Sequence, residues 1–314
     1  MNVSQNLREN KFRTLPATGN PFACILCATN DLYAVAIMVA VSRLKKLGIS
    51  PDIDIVAMHS RVSKCILNSM RSLGISTVSV RPPLSSNSHY FRHSLLKLRI
   101  FQFAQYERIV YLDADSLPLK NLSLLFEMKF NEPIAMPRAY WLAQGGTSAL
   151  IVAHPSAGNW QSLVSWLDDA VACGRGIPAD MEVLNSVFKS QIHYLPSGYF
   201  RLNGDWGDRN FLPVYGDPEM GLEKVQLVHF TDLGKPWSYH PQMVRRLRPN
   251  ARRRYYEFWD MWWATREELS QTSSAIDRFA LAFLKREAVF ENLLRLPLTR
   301  TAARMSCAHH SMKD

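Results

Sequence analysis

The sequence lacks the long hydrophobic runs that an integral membrane protein needs. No apolar stretch approaches the ~18–20 residues required to cross a bilayer. The N-terminal segment is polar and contains no apolar core of the kind found in a signal peptide. With 47% hydrophobic and 20% charged residues over 314 positions, the composition is typical of a soluble globular protein. As written, the chain is therefore expected to be cytoplasmic.

Cysteine is scarce. The five cysteines are odd in number and scattered, which argues against a disulfide framework. Cys24 and Cys27 form a CxxC pair inside an apolar segment that we interpret as a strand. Residues i and i+3 of a strand face opposite sides of the sheet, so these two thiols cannot bind one metal ion. No second CxxC or CxxH follows, and we expect both side chains to pack in the core.

Acidic residues are too few to balance the basic ones, which leaves a net charge of +10. Six arginines lie between residues 245 and 254, and further basic residues follow at 278–304. Such a surplus can bind nucleic acid, anionic lipid or a phosphorylated ligand. No nucleic-acid-binding motif accompanies it, so we expect no nucleic acid partner and interpret the cluster as a solvated basic face. Peripheral membrane contact through the basic tail is an alternative.

Strands and helices alternate in the first part of the chain. The pattern predicts strands at 22–28, 54–58 and 75–80, with helices at 32–47 and 62–73 between them. This alternation indicates an α/β fold with a mainly parallel sheet flanked by helices. Further along, the predicted elements are a loop at 82–88, a helix at 93–105, strands at 108–112, 133–137, 148–153 and 224–230, helices at 156–171, 180–189, 255–269 and 276–294, and a long loop at 196–221.

Three segments follow from this pattern. We expect a flexible N-terminus at 1–19, one α/β domain at 20–262 and a helical basic C-terminal tail at 263–314. No internal repeat or low-complexity tract interrupts the domain.

Two carboxylates, Asp113 and Asp115, follow the strand predicted at 108–112. Ligands of open α/β sheets bind at the carboxyl ends of the strands, so acids at this position are well sited to meet one. Two carboxylates this close repel each other unless a cation lies beside them. Oxygen ligands suit Mg²⁺ or Mn²⁺, which complete their coordination with phosphate oxygens of a substrate. The alternative is a turn in which one aspartate caps the following segment.

Four blocks of the sequence belong together. They are Thr29-Asn30-Asp31-x-Tyr33 after the first strand, Lys97 before the acids, Asp113-Ala114-Asp115, and His229-Phe-Thr-Asp-Leu-Gly-Lys235-Pro-Trp237. In this order they resemble the retaining glycosyltransferases of family 8, the glycogenin-like group with the GT-A fold. The likeness covers residues 22–237. It implies that the α/β domain is a GT-A domain.

The resemblance also implies roles for these residues. Asp113, Asp115 and His229 are expected to bind Mn²⁺ or Mg²⁺, and the remaining coordination positions are left to the phosphates of a UDP-sugar. Asp180 is expected near the anomeric carbon, as a nucleophile or as an orienting group, and Lys235 is expected to stabilise the leaving phosphate. The donor-binding set is Thr29, Asn30, Tyr33, Lys97, Asp113, Ala114, Asp115, Gly234 and Lys235.

A finer likeness is to the fungal glucose N-acetyltransferase-like subgroup, which are α-N-acetylglucosaminyltransferases. It rests on residues 137–141, which include Arg138, Tyr140 and Trp141, on Asp180-Met181-Glu182-x-x-Asn185 and on Asp232. We expect Arg138, Tyr140 and Trp141 to contact the acceptor or the donor sugar. Members closer to glycogenin carry Asp-Gln at 180–181 and Gly at 232, which argues against a self-glucosylating enzyme.

The expected activity is metal-dependent, retaining transfer of a hexose or N-acetylhexosamine from a UDP-sugar to an acceptor hydroxyl. The acceptor is a glycan or a protein, and the resemblance leaves open whether the chain forms a homodimer. The alternatives are a catalytically weak UDP-sugar-binding protein and a glycogenin-like self-glucosylating enzyme. Fungal members typically carry an N-terminal Golgi anchor, so a Golgi location is expected if the N-terminus is truncated.

Overall fold

A sheet of seven strands forms the centre of the fold in the computed structural model, which describes residues 19–81, 93–175, 178–210, 216–272 and 276. The strand order is β3-β2-β1-β4-β7-β6-β8, and a smaller sheet has the order β5-β10-β9. The strands are β1 (Phe22–Ala28), β2 (Ile53–His59), β3 (Ser76–Ser79), β4 (Arg108–Leu112), β5 (Ser116–Pro118), β6 (Ile134–Met136), β7 (Leu150–Ala153), β8 (Ile192–Tyr194), β9 (Phe200–Leu202) and β10 (Leu227–His229).

The first four strands of the large sheet are parallel, as the alternation of elements predicts. β1 lies between β2 and β4, and both pairings are parallel. Its side chains are buried on both faces because helices cover both sides of a parallel sheet. Cys24 packs in one core layer and Cys27 in the other, which confirms that the CxxC pair faces opposite sides. Burial raises the pKa of each thiol to about 12.

The helices are α1 (Asp31–Lys46), α2 (Lys64–Ser72), α3 (Leu124–Glu127), α4 (Ala157–Ala172), α5 (Asp180–Val187), α6 (Pro241–Leu247) and α7 (Arg253–Thr272). One prediction is wrong in type. The segment predicted as a helix at 93–105 forms a 3₁₀ helix at Leu95–Gln102. Its residues are buried all round up to Phe101, and they include Lys97 and Arg99. Contacts on every side therefore set its conformation, and helix propensity does not.

The small sheet contains the segments that the sequence identified least well. The loop predicted at 196–221 holds β9 and a 3₁₀ turn at Asn203–Trp206, and β10 is shorter than the strand predicted at 224–230. Strands of three residues are too short to show a clear alternation of apolar and polar positions. Antiparallel pairing sets His229 opposite Ser116 and brings the end of β10 next to the acids after β4.

α7 packs against the segment after β10 and is part of the hydrophobic core. Trp259 is fully buried, and its ring lies 5.2 Å from that of Phe230, edge to face, directly after β10. The predicted boundary between residues 262 and 263 falls inside α7, and Trp263 packs in the same core as Trp259. The predicted loop at 82–88 and nearly all of the predicted helix at 276–294 lie outside the described residues. Within the described ranges, no helix combines the length and hydrophobicity that crossing a membrane requires.

The arginine cluster at 245–254 is largely matched by acids of the same chain. Arg245 binds Asp260 through two hydrogen bonds, and Arg252 lies 3.2 Å from Asp217. Arg253 and Arg254 both contact Glu257. These ion pairs use the positive charge to fasten α6 and α7 to each other and to neighbouring loops, so part of the excess is balanced locally.

Replacing Trp259 with alanine should lower the free energy of unfolding by about 3–5 kcal/mol, because it leaves a large cavity between α7 and the small sheet. Urea denaturation followed by circular dichroism measures the change. The matched control is Trp141→Ala. Because Trp141 is 40% exposed, its replacement should lower the free energy of unfolding by about 1 kcal/mol or less. Equal losses for the two variants would contradict the packing role of α7.

Candidate active site

A pocket of about 420 Å³ opens at the carboxyl ends of β1 and β4. Parallel strands that point the same way bring their ends to one edge of the sheet, which is where α/β proteins bind ligands. All the residues predicted for the metal, the donor and catalysis line this pocket, except Gly234: Thr29, Asn30, Tyr33, Lys97, Asp113, Ala114, Asp115, Asp180, His229 and Lys235.

Two carboxylates and one imidazole converge in the pocket. Nε2 of His229 lies 3.1 Å from Oδ1 of Asp115 and 3.9 Å from Oδ2 of Asp113. One ligand atom from each of the three residues lies within 4.8 Å of the other two. Asp113 leaves β4, and His229 ends β10, so the antiparallel contact of β5 with β10 closes this cluster.

The donor set suits a divalent cation. Nε2 of His229 is buried, and among the residues that the structure describes it has no hydrogen-bond partner of acceptable geometry, although Asp115 is near. A buried nitrogen without an aligned partner is costly unless something else binds it. Two carboxylate oxygens and one imidazole nitrogen form a mixed set that Mn²⁺ accepts and that Mg²⁺ accepts less readily.

Lys235 adds positive charge on the other side of Asp115, with which it forms an ion pair. Burial would raise the pKa of the Asp115 carboxyl, but the neighbouring His229 and Lys235 hold that pKa well below its usual range. Burial likewise would lower the pKa of Lys235, and the charge of Asp115 raises it instead. Gly234 lies outside the pocket wall, and its φ of +101° allows the turn that carries Lys235 back into the site.

Lys97 is buried and bridges two carboxylates. Its Nζ lies 2.8 Å from Asp113 and 2.9 Å from Asp180, and it donates to the carbonyl oxygen of Ser148 at 3.3 Å. Burial would lower the pKa of Lys97, but the charges of the two acids raise it well above its ordinary value. The ammonium lines the pocket, but its three protons already have partners in the protein. The predicted contact of Lys97 with a phosphate or sugar therefore competes with these bonds.

Asp180 starts α5 and is buried. Its carboxylate accepts a hydrogen bond from the hydroxyl of Ser148 in addition to the Lys97 contact. Burial would raise the pKa of Asp180, but Lys97 and Ser148 lower it, so the group is a carboxylate at neutral pH. A buried, ionised and hydrogen-bonded acid in a pocket is a strong candidate for a functional group.

The predicted uridine residues lie at the start of α1. Oδ1 of Asn30 accepts from the backbone N–H of Tyr33 at 3.1 Å, so Asn30 caps this helix while lining the pocket. The ring of Tyr33 meets that of Trp237 edge to face at 4.8 Å. This contact joins two blocks of the family resemblance, residues 29–33 and residues 229–237.

Arg138, Tyr140 and Trp141 do not line the pocket. The guanidinium of Arg138 lies 3.8 Å over the ring of Tyr194. The hydroxyl of Tyr140 donates to Asp205 at 2.7 Å and accepts from the N–H of Leu202 at 2.9 Å. Trp141 is partly exposed at the loop surface, where it meets Phe200 at 6.3 Å. The sugar contacts of these residues stay a prediction.

The pocket includes residues that the sequence did not single out. Tyr111, which was interpreted only as a buried strand residue, donates to Asp113 at 2.9 Å. Ser148, at the start of a predicted strand, lies outside the pocket wall, and its hydroxyl donates to Asp180, which is part of that wall. Arg61 and Ser94 also line the wall. No local pattern marks these residues, since each is a common residue at a strand end or in a loop.

The segment between His229 and Lys235 is anchored through Asp232. Arg248 donates two hydrogen bonds to its carboxylate, at 3.0 and 2.8 Å, and Tyr255 donates a third at 2.9 Å. Oδ1 of Asn203 accepts from the N–H groups of Thr231 and Asp232. The loop that carries the imidazole and the ammonium is thus fastened to α7 and to the 3₁₀ turn after β9.

Residues 24–148 match the family model described as Glycosyl transferase family 8. The chain is 30% identical over 171 residues to "Glucose N-acetyltransferase 1" of Aspergillus fumigatus, an alignment that covers 48% of this chain and 44% of that protein. It is 25% identical over 189 residues to "UDP-glucuronate:xylan alpha-glucuronosyltransferase 2" of Arabidopsis thaliana, covering 59% of this chain and 30% of that protein. The chain thus spans less than half the length of these relatives.

The fold of this chain is also found among solved structures. That of the WbbM bifunctional glycosyltransferase superposes with a TM-score of 0.65 and 14% sequence identity, over 85% of this chain and 52% of that one. At this identity the likeness concerns the fold alone. It confirms the predicted GT-A architecture, with a mostly parallel central sheet and flanking helices.

Replacing Asp232 with asparagine should lower the free energy of unfolding by about 1–3 kcal/mol at neutral pH, because a charged hydrogen-bond network is lost. Burial would raise the pKa of Asp232, but Arg248 and Tyr255 lower it. The difference between wild type and variant should therefore be complete above the unfolded-state pKa of about 4 and shrink as the pH falls below it. Denaturant titrations at several pH values measure this.

The control for this variant is Asp260→Asn, which breaks the exposed pair with Arg245 and should cost less than about 1 kcal/mol. A difference for Asp232→Asn that stays constant down to low pH would contradict an ionic anchor.

Proposed function

We propose that the chain is a metal-dependent retaining glycosyltransferase that moves a hexose or N-acetylhexosamine from a UDP-sugar to an acceptor hydroxyl. The observation that carries this proposal is the convergence of Asp113, Asp115 and His229 in one pocket, where the buried imidazole Nε2 has no aligned partner among the described residues. The match of residues 24–148 to the family 8 model and the similarity to a relative named as a glucuronosyltransferase from UDP-glucuronate to xylan support it.

The two carboxylates and the imidazole would hold Mn²⁺ or Mg²⁺ at the phosphate end of the pocket. When bound, such a cation neutralises negative charge on a diphosphate leaving group. Thr29, Asn30 and Tyr33 line the side of the pocket at the start of α1, where the uridine is expected. Their backbone is held in place by the cap that Asn30 makes on α1.

Lys235 would supply the second positive charge to the leaving group. In the structure its ammonium binds Asp115, so it already lies beside the predicted cation ligands. With the Asp115 carboxylate shared with a cation, the Lys235 ammonium would be available to donate to a phosphate oxygen. Fixed positive charge at the site of developing negative charge stabilises a transition state without reorganisation of solvent.

Asp180 would face the sugar. Its carboxylate is ionised, buried and oriented by Ser148 and Lys97, which fits a group that stabilises positive charge at the anomeric carbon or that orients the donor hydroxyls. Retention of configuration requires either a nucleophile on one face of the sugar or substitution on the same face. The acceptor, a glycan or a protein hydroxyl, would approach from the open side of the pocket.

Replacing Asp113 with asparagine or His229 with alanine should reduce turnover of UDP-sugars by about 10²–10³-fold, because the charge on the leaving group is no longer balanced. Chelation with EDTA should abolish turnover in the wild type, and added Mn²⁺ should restore it. Release of UDP is measured over a panel of donor sugars. The control variant is Asp52→Asn, an exposed aspartate at the turn before β2.

Full turnover in the presence of EDTA, or in Asp113→Asn, would reject the metal site. Tight binding of UDP by calorimetry, with no turnover over a panel of donors and acceptors, would instead favour a sugar-nucleotide-binding protein without transfer activity.

Replacing Lys235 with methionine should lower kcat by about 10²-fold or more, because the leaving group loses a charge-stabilising contact. Its side chain is 38% exposed but pairs with the buried Asp115, so the free energy of unfolding should fall by about 1–3 kcal/mol. The control is Lys189→Met, an exposed lysine after α5. A loss of activity that only follows a loss of folded protein would contradict the role in leaving-group stabilisation.

A further inference from the structure

Asn185 lies on the same helix as Asp180 and outside the pocket wall. Its Oδ1 accepts a hydrogen bond from the N–H of Gly146 at 2.7 Å. Its Nδ2 donates to the carbonyl oxygens of Gly146 and Met181, both at 2.8 Å. The side-chain amide therefore pairs with both the N–H and the C=O of Gly146 in the loop before β7, and both of its donor protons are used. These hydrogen bonds fix the orientation of the amide, with Oδ1 toward the N–H of Gly146 and Nδ2 toward its carbonyl oxygen.

Two glycines allow the loop to approach this amide. A Cβ on Gly145 would lie 2.8 Å from Oδ1 of Asn185, and the φ of Gly145 is +105°. A Cβ on Gly146 would lie 2.9 Å from Cε of Met136. A side chain at Gly145 would push the loop away from α5, and a side chain at Gly146 would push it away from β6. The Gly145-Gly146 pair and Asn185 therefore form one structural unit, although they are far apart in the sequence.

The same loop and the same helix meet at a second point, at Asp180 in the pocket wall. Ser148 donates its hydroxyl proton to the carboxylate of Asp180, and its carbonyl oxygen accepts from Lys97 at 3.3 Å. Lys97 in turn contacts Asp180 at 2.9 Å. A shift of the loop relative to α5 would change these distances directly, since Gly146 and Ser148 are two residues apart on one chain segment.

We propose that Asn185 is a positioning residue: its carboxamide binds the backbone N–H and C=O of Gly146 and thereby places the Ser148 hydroxyl against the Asp180 carboxylate. Its kinetic consequence rests on the proposed function, in which Asp180 faces the sugar. Asn185 itself touches no part of the pocket. It acts through Ser148, and its loss should affect the chemical step more than the binding of the donor.

The test variant is Asn185→Asp, which keeps the shape but turns the paired NH₂ into an oxygen that faces two carbonyl oxygens. We expect kcat to fall by roughly 10–100-fold with KM for the UDP-sugar changed less than about threefold, because small misplacements of catalytic groups act on the chemical step. The matched control is Asn159→Asp on α4, where Nδ2 donates to the carbonyl oxygen of His154 at 3.0 Å. Its kcat should stay within about twofold of wild type.

A double-mutant cycle separates positioning from general destabilisation. In a Ser148→Ala background the hydroxyl is already missing, so adding Asn185→Asp should reduce kcat by less than about threefold further. The effects of Asn159→Asp and Ser148→Ala on kcat should be additive. Additive effects of Asn185→Asp and Ser148→Ala, or an unchanged kcat in Asn185→Asp, would overturn the inference.

Hydrogen exchange keeps the test independent of turnover. The amides of residues 145–148 should exchange faster in Asn185→Asp than in wild type or Asn159→Asp, and unchanged protection there would overturn the inference. If Asn185→Asp does not fold, Asn185→Ala takes its place in the double-mutant cycle. The alanine removes the hydrogen bonds to Gly146 without setting an oxygen against its carbonyl oxygen. Absence of turnover in the wild type would reject the proposed function alone, because exchange still decides whether Asn185 holds the loop.

Discussion

The active-site region depends on one buried positive charge. Lys97 lies in a 3₁₀ helix that is buried on all sides, and its ammonium meets Asp113 and Asp180 at hydrogen-bonding distance. An unpaired charge in this position would be very costly. The folded state therefore keeps together the three segments that carry Lys97, Asp113 and Asp180. The same contact joins the end of the pocket with the predicted cation ligands to the end with the predicted sugar-facing acid.

The other half of the site is built by a small sheet of three-residue strands. Strands this short contribute few backbone hydrogen bonds, and their placement depends on what surrounds them. β10 is held between β5 and β9, the loop after it is fastened by Asp232 to Arg248 and Tyr255, and Trp259 packs behind it. Late segments of the chain therefore set the position of His229 and Lys235 against acids that come much earlier. Fixed positions of this kind are what electrostatic stabilisation of a transition state requires.

Local patterns predicted the large sheet well and the connections poorly. β1 and β4 have the predicted bounds because β1 is an unbroken apolar run, β4 is mostly β-branched or aromatic, and no turn former interrupts either strand. The type of the Leu95–Gln102 segment was wrong because a fully buried segment shows no amphipathic period. β9 was missed because three residues among glycines, prolines and aromatics show no alternation. Ser148 and Asn185 were passed over as functional residues for a related reason: their partners lie 32 and 39 positions away.

The sequence by itself determined the alternation of strands and helices, the opposite facing of Cys24 and Cys27, and the presence of two acids at a strand end. These properties depend on residues close together in the chain, whose period and order are visible in the sequence. Only the tertiary structure decided that Lys97 bridges two acids, that Tyr140 is tied to Asp205, and that the buried Nε2 of His229 has no aligned partner in the part of the chain that the structure describes. Such contacts arise when distant segments close against one another, and their geometry depends on the packing of the whole domain.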